Sequence, residues 1–179
     1  MKITLDPGHS GPFEPGACAG GFTEAEIVLS ISEILEWLLV KSGHEVLMTR
    51  TGNIDTDGLA FRASMANNQQ ADLFISLHCN AADNKAATGC EVYHFPSSVR
   101  GAYLADCIRH RICAATGLAN RGTKAARFQV LRETNCPAVL VETAFISSPS
   151  DRQLLASMAG RVAFAIAIYH GLQDFCGPV

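Results

Sequence analysis

The segment "ADLFISLHCN", residues 71–80, decides the fold. Its first seven residues form a near-continuous apolar run. Such a run suits a strand covered on both faces, as in a parallel sheet with helices above and below. The run ends on His78, so the strand delivers an imidazole to the rim of the sheet.

Working outward, apolar periodicity assigns the remaining elements. Residues 2–5, "HEVLMTR" (44–50), "GCEVYHF" (89–95), "FQVLR" (128–132) and "PAVLVETAF" (137–145) read as further strands. Residues 6–23 read as a Gly/Pro-rich loop. Thr23 is the expected N-cap of a helix running to about Lys41, with Glu24 and Glu26 in its first turn. Gly43 is expected just beyond its end. "TDGLAFRASMANNQQ" (56–70), residues 97–117 and "SPSDRQLLASMAGRVAFAIAIYHGL" (148–172) read as helices, the last with Ser150 as N-cap. Strands alternating with helices predict one α/β domain over residues 1–179. Its twisted, mostly parallel sheet should have about six strands and helices on both faces, a phosphorylase/hydrolase-like arrangement.

In such sheets, ligands bind at the carboxyl ends of the strands. His9 follows the first strand, where Pro7 and Gly8 turn the chain, and His78 follows the third. "PAVLVE" delivers Glu142, and Glu24 opens the first helix beside the loop that carries His9. Two imidazoles and a carboxylate are a standard catalytic zinc set, leaving one position for water. A second carboxylate nearby can act as general base. Spacing alone does not say which glutamate is the ligand, and Asp6 is also a contender.

Charge and composition narrow the classes. The chain has 179 residues, 48% of them hydrophobic, and a net charge of −3, with Lys and Arg scattered. This predicts a compact domain that does not bind nucleic acid. No apolar stretch reaches the length of a signal peptide or a bilayer span, so neither export signal nor membrane insertion is expected. Seven cysteines without a CxxC pair read as mostly reduced, small core residues.

The motifs "LDPGHSG", "GFTEAEIVLSIS", "GHEVLMTR", "LAFRASMANNQQADLFISLHCNA", "GCEVYHF" and "PAVLVETAFISSPSD" occur in this order. Together, over nearly the whole chain, they resemble the zinc-dependent N-acetylmuramoyl-L-alanine amidases of the Amidase_3 type. The resemblance implies one zinc ion on His9, Glu24 and His78, with Glu142 as catalytic base. Asp6 becomes a turn or supporting residue. From position alone, Asn80 just after His78 and Arg132 following the "FQVL" strand are candidate substrate or supporting contacts lining the cleft. The implied reaction is hydrolysis of the amide between the lactyl group of N-acetylmuramic acid and the L-alanine of the peptidoglycan stem. Three positions depart from the family pattern: Cys79, Ala25 and Ala144. Residues 89–103 leave no room for the inserted regulatory helix of the division amidases.

The implied protein is an always-open catalytic domain, expected to be a monomer. It would be made in the cytoplasm and reach the wall after release, as a phage or prophage endolysin does, or by another export route. Two rivals stand beside this reading. One is a zinc peptidase cutting within wall peptides, which needs a carboxylate pocket at Arg127 or Arg132. The other is a non-catalytic peptidoglycan-binding module, which would lack Glu142 or a zinc ligand.

Overall fold

The computed structural model describes residues 1–53 and 58–177. Thr56 and Asp57, the expected start of the second helix, lie outside the described residues. In chain order the elements are β1 (Lys2–Pro7), β2 (Cys18–Ala19), β3 (Phe22–Thr23), α1 (Glu24–Lys41), β4 (Glu45–Met48), α2 (Leu59–Asn68), β5 (Leu73–Asn80), β6 (Cys90–His94), α3 (Val99–Thr116), β7 (Asn120–Ala125), α4 (Gln129–Glu133), β8 (Ala138–Phe145), α5 (Pro149–Ala156) and α6 (Met158–Cys176).

Six strands form one sheet in the order β4-β1-β5-β8-β6-β7. Every neighbouring pair is parallel except β6 with β8. The period-two alternation of the central strands splits the core in two. Leu73, Ile75, Leu77, Val139 and Val141 pack with α1, α3 and α6 on one face. Phe74, Ala138 and Leu140 pack on the other with Ala66 of α2 and Val130 and Leu131 of α4. The expected α/β class, strand number and two-sided helical cover are all present.

The first helix begins as its sequence dictates. Thr23 Oγ1 accepts from Glu26 N and donates to Glu26 Oε2, a reciprocal cap that satisfies the helix start. Gly43 follows the helix end at φ +82°, the left-handed conformation its position requires.

Three expectations are corrected. "FQVLR" is not a strand; it forms the short helix α4, with Leu131 N and Arg132 N donating to Phe128 O. A strand would send Val130 and Leu131 to opposite faces, whereas both are buried in one cluster. The sixth strand is instead β7, "NRGTKA", a polar edge strand with no apolar alternation to reveal it. The closing helix is two helices meeting at 86° across Ser157, whose hydroxyl caps α6 by accepting from Gly160 N. Ser148 rather than Ser150 is the N-cap of α5, with Pro149 in the first turn, where its missing N–H costs nothing. The loop over residues 6–23 also contains the small β2-β3 ribbon. Among the described residues no single helix is long and apolar enough to cross a membrane.

Candidate metal centre

β1 ends on Pro7, and Gly8 and His9 turn the chain at the rim. Gly8 N donates to Leu77 O at 3.0 Å, which ties the turn to β5. His9 is held at φ +64°, a conformation uncommon outside glycine. Two buried arginines hold it there. Arg50 donates to Pro7 O and Gly8 O, and Arg62 donates to Pro7 O and His9 O. Arg62 also pairs with the buried Asp6 at 2.7 Å, and Asp6 accepts from Thr49 and Ser76 as well. Asp6 is therefore a foundation of the turn, as the resemblance implies. Leaving one partner of such a buried pair alone costs about 3–5 kcal/mol.

Two glycines let the imidazoles approach. A Cβ on Gly8 would stand 2.4 Å from His78 Cε1, and one on Gly16 would stand 2.5 Å from His9 Cδ2 and 2.6 Å from Glu24 Oε2. Neither site tolerates a side chain without moving a ring.

Glu24 lies between the two rings. Its Oε2 is 3.0 Å from His9 Nε2, and its Oε1 is 2.9 Å from His78 Nδ1. Two backbone amides fix the carboxylate: Ala17 N donates to Oε2 and Cys79 N to Oε1, each at 2.9 Å. Burial opposes the charge on Glu24, but the hydrogen bonds to His78 and His9 outweigh it and hold the carboxyl well below its usual range. The His78 imidazole is shifted up: burial opposes its charged form, and Glu24 and Glu142 overcome that opposition. Ligand atoms of His9, Glu24 and His78 all lie within 4.8 Å of one another. Two nitrogens and one oxygen at that spacing fit a divalent metal such as zinc. His9 Nδ1 lies 3.1 Å from Glu14 Oε1, the outer carboxylate contact that fixes a ligating imidazole. Sequence reasoning missed Glu14, which sits in an irregular loop with no periodic signal.

Glu142 sits within β8, directly beside His78 in the parallel register with β5. Its Oε2 is buried without a hydrogen-bond partner among the described residues. Its carboxyl is pushed up to about 7, mainly by burial; His78 opposes the shift and the charges of Glu24 and Glu91 reinforce it. An orphaned carboxylate oxygen beside a cluster of metal-type ligands is what a proton acceptor for chemistry at that cluster would look like.

The upward shift has a consequence for stability. An unfolded chain releases this proton near 4.5, the folded one near 7. The folded state thus binds more protons in between, so stability falls as pH rises through that window. In metal-free protein, wild type should lose on the order of 2 kcal/mol more than Glu142→Gln between pH 5 and pH 8. Denaturant melts in EDTA at the two pH values measure it, and equal losses would contradict the desolvated state of Glu142.

Other sequence candidates fall elsewhere. Asn80 closes β5, and its Nδ2 donates to Glu91 Oε1 at 2.9 Å. Arg132 is not brought to the site. It pairs with Glu133 and lines a depression with Pro137 and Ala138, at the amino end of β8. Arg127 lies over Phe95, beyond the far end of β6. Cys79 points into the apolar core with its Sγ 3.6 Å from Thr143 Oγ1, so it does not face the ligands. All seven cysteines are free thiols. A cavity of about 620 Å³ lies at the opposite end of the sheet near Met1, His44 and Leu73. The depression flanking the cluster, lined by Ala17, Ala81, Ala82 and Ile146, is about 420 Å³ and open.

An α/β sheet that gathers two imidazoles, an amide-anchored carboxylate and a desolvated carboxylate at one rim has the donor set that a metal-dependent hydrolase site requires. Comparison with known proteins makes this specific. Residues 3–174 match the family described as N-acetylmuramoyl-L-alanine amidase (Amidase_3), and the chain belongs to that family. The chain is 36% identical over 175 residues to the N-acetylmuramoyl-L-alanine amidase LytC of Bacillus subtilis, covering 97% of this chain and 35% of that protein. It is 34% identical over 177 residues to the sporulation-specific N-acetylmuramoyl-L-alanine amidase of the same organism, covering 97% of this chain and 68% of the other. The chain thus spans between about a third and two thirds of the length of these relatives. Among solved structures, N-acetylmuramoyl-L-alanine amidase AmiC2 of Nostoc punctiforme superposes with a TM-score of 0.92 at 32% identity, covering 98% of this chain and 97% of that one.

Proposed function

We propose that this chain is a zinc-dependent N-acetylmuramoyl-L-alanine amidase. It would cleave peptidoglycan at the amide between the lactyl group of N-acetylmuramic acid and the stem L-alanine. The observation that carries the reading is the convergence of His9, Glu24 and His78 beside the orphaned carboxylate of Glu142, in a chain of this family. A bound zinc would supply Lewis-acid polarisation of the amide carbonyl and acidify a water. His9, Glu24 and His78 would hold it, with Glu14 fixing the His9 ring and two backbone amides fixing Glu24. Glu142 takes the proton of the attacking water and passes it to the departing amine nitrogen. Burial keeps the proton of Glu142 from being held too weakly, which suits a group that must both accept and release it.

The rivals have less support. A peptidase reading needs a carboxylate pocket at Arg127 or Arg132, and both lie at the far end of the sheet. A binding module has no use for a desolvated Glu142. We further propose a monomeric domain that contacts neither nucleic acid nor membrane and acts in an endolysin-like setting. The named relatives are bacterial wall amidases, and the same chemistry serves either setting. Incubation with purified peptidoglycan tests the reaction: stem peptides with a new amino-terminal L-alanine should appear, and cuts inside the stem would replace the amidase with the peptidase.

A further inference from the structure

The face of the sheet that carries His78 and Glu142 continues beyond them. His78 pairs with Glu142 across β5 and β8, and Glu142 pairs with Glu91 across β8 and β6. Paired residues point to the same face. Glu91 is 3% exposed, and every oxygen it has is occupied. Asn80 Nδ2 and Tyr93 Oη donate to its Oε1 at 2.9 and 2.7 Å. Arg121 Nε and Lys124 Nζ, both from the edge strand β7, donate to its Oε2 at 2.9 and 2.6 Å.

Glu91 cannot move a proton in this arrangement. Burial opposes its charge, but the hydrogen bonds from Lys124, Tyr93 and Arg121 hold its carboxyl down at about 2. What it does is hold two cations in place. The Arg121 guanidinium also lies over the Phe145 ring at 4.9 Å, and its Nη1 donates to Thr88 O. Both cationic side chains remain more than a third exposed, at 38% and 39%. One carboxylate faces two cations, so a positive charge is left over. Arg121 Nη2 and the remaining Lys124 protons have no partner among the described residues. The two cations compensate the buried Glu91 carboxylate, and their exposed faces leave donors turned to solvent beside it.

Resting on the amidase reading above, we propose that Arg121 and Lys124, held by Glu91, form a subsite for a carboxylate of the peptide stem on the leaving-group side of the scissile amide. The reach agrees. Glu91 lies two strand spacings of about 4.8 Å from His78, across β8, so the cationic heads on its carboxylate stand about 10 Å from the metal centre. An extended peptide covers about 3.5 Å per residue, so a stem leaving the metal centre along this face meets the cations at its second or third residue. The stem's second residue is a γ-linked glutamate with a free α-carboxylate, and some walls carry a further carboxylate on the third. Both offer the same chemistry. Arg121 and Lys124 are thus specificity residues, and Glu91 is a positioning residue.

The test uses soluble muropeptides that differ in one group: the second-residue carboxylate free or amidated, and the third-residue side chain with or without its carboxylate. Wild type should prefer a free carboxylate at one of these positions by about tenfold in kcat/KM, the effect of one charge-assisted hydrogen bond, expressed in KM. Lys124→Met and Arg121→Gln should each shrink that preference to below about threefold, with far-UV spectra and bound metal matching wild type as proof of a folded site. The position that shows the preference identifies the carboxylate. Equal wild-type rates on all substrates, or variants that lose rate equally on free and amidated forms, would overturn the subsite alone. No cleavage of any substrate by wild type would overturn the amidase reading and the subsite with it.

Discussion

Glu142→Gln should fold, bind metal and lose activity by about 10²–10⁴-fold, the contribution of a positioned general base. The substitution changes little else. Glutamine matches the size of the side chain, and Glu142 makes no hydrogen bond through Oε2 that the amide would break. It lies on a different strand from the metal-type ligands, and Glu24 is anchored by backbone amides that the substitution leaves alone. Metal content per chain should therefore match wild type. The loss should appear in kcat, because a proton acceptor acts in the transition state rather than in ground-state binding. Turnover within a few-fold of wild type would remove Glu142 from the mechanism. Loss of metal together with activity would make it a supporting residue of the metal site.

His78→Ala removes one of only three protein donors, and metal affinity should fall by more than about 100-fold, beyond what loss of an outer contact such as Glu14 costs. Metal retained after dialysis should drop from about one ion per chain to a small fraction, measured by elemental analysis. Activity should fall with it. EDTA should produce the same inactive state in wild type, and added zinc should restore wild type but not the variant. Unchanged metal content in His78→Ala would reject the site. A far-UV spectrum and a melt keep the result interpretable, because the ring also fills the space above Gly8.

Much of this architecture is legible in the sequence because it rests on strong local signals. The run before His78 is buried on both faces and forms a central strand. Thr23 with Glu26 is a complete cap, and it fixes where Glu24 emerges. The site residues could be found because each follows or opens a periodic element. What was hidden had no such signal. β7 is an edge strand of polar residues whose pairing depends on β6, two elements earlier in the chain. "FQVLR" is too short for its apolar residues to separate a helix from a strand. The break at Ser157 lies inside a continuous apolar stretch, where only the capping serine marks it.

Glu91 was readable as a carboxylate set in an otherwise apolar strand. Its role was not, because its cations come from the unrecognised β7. Arg132 shows the opposite failure. Taken as following a strand, it would reach the cleft; at the end of a helix on the far rim, it cannot.

The central claim is that Glu142 works with a metal on His9, Glu24 and His78 to cut the sugar–peptide amide. Mass spectrometry of purified peptidoglycan digested by wild type, by wild type in EDTA and by Glu142→Gln tests it most directly. The account predicts free stem peptides beginning at L-alanine from wild type alone. The same peptides released in EDTA or by Glu142→Gln, or products cut within the stem, would contradict it.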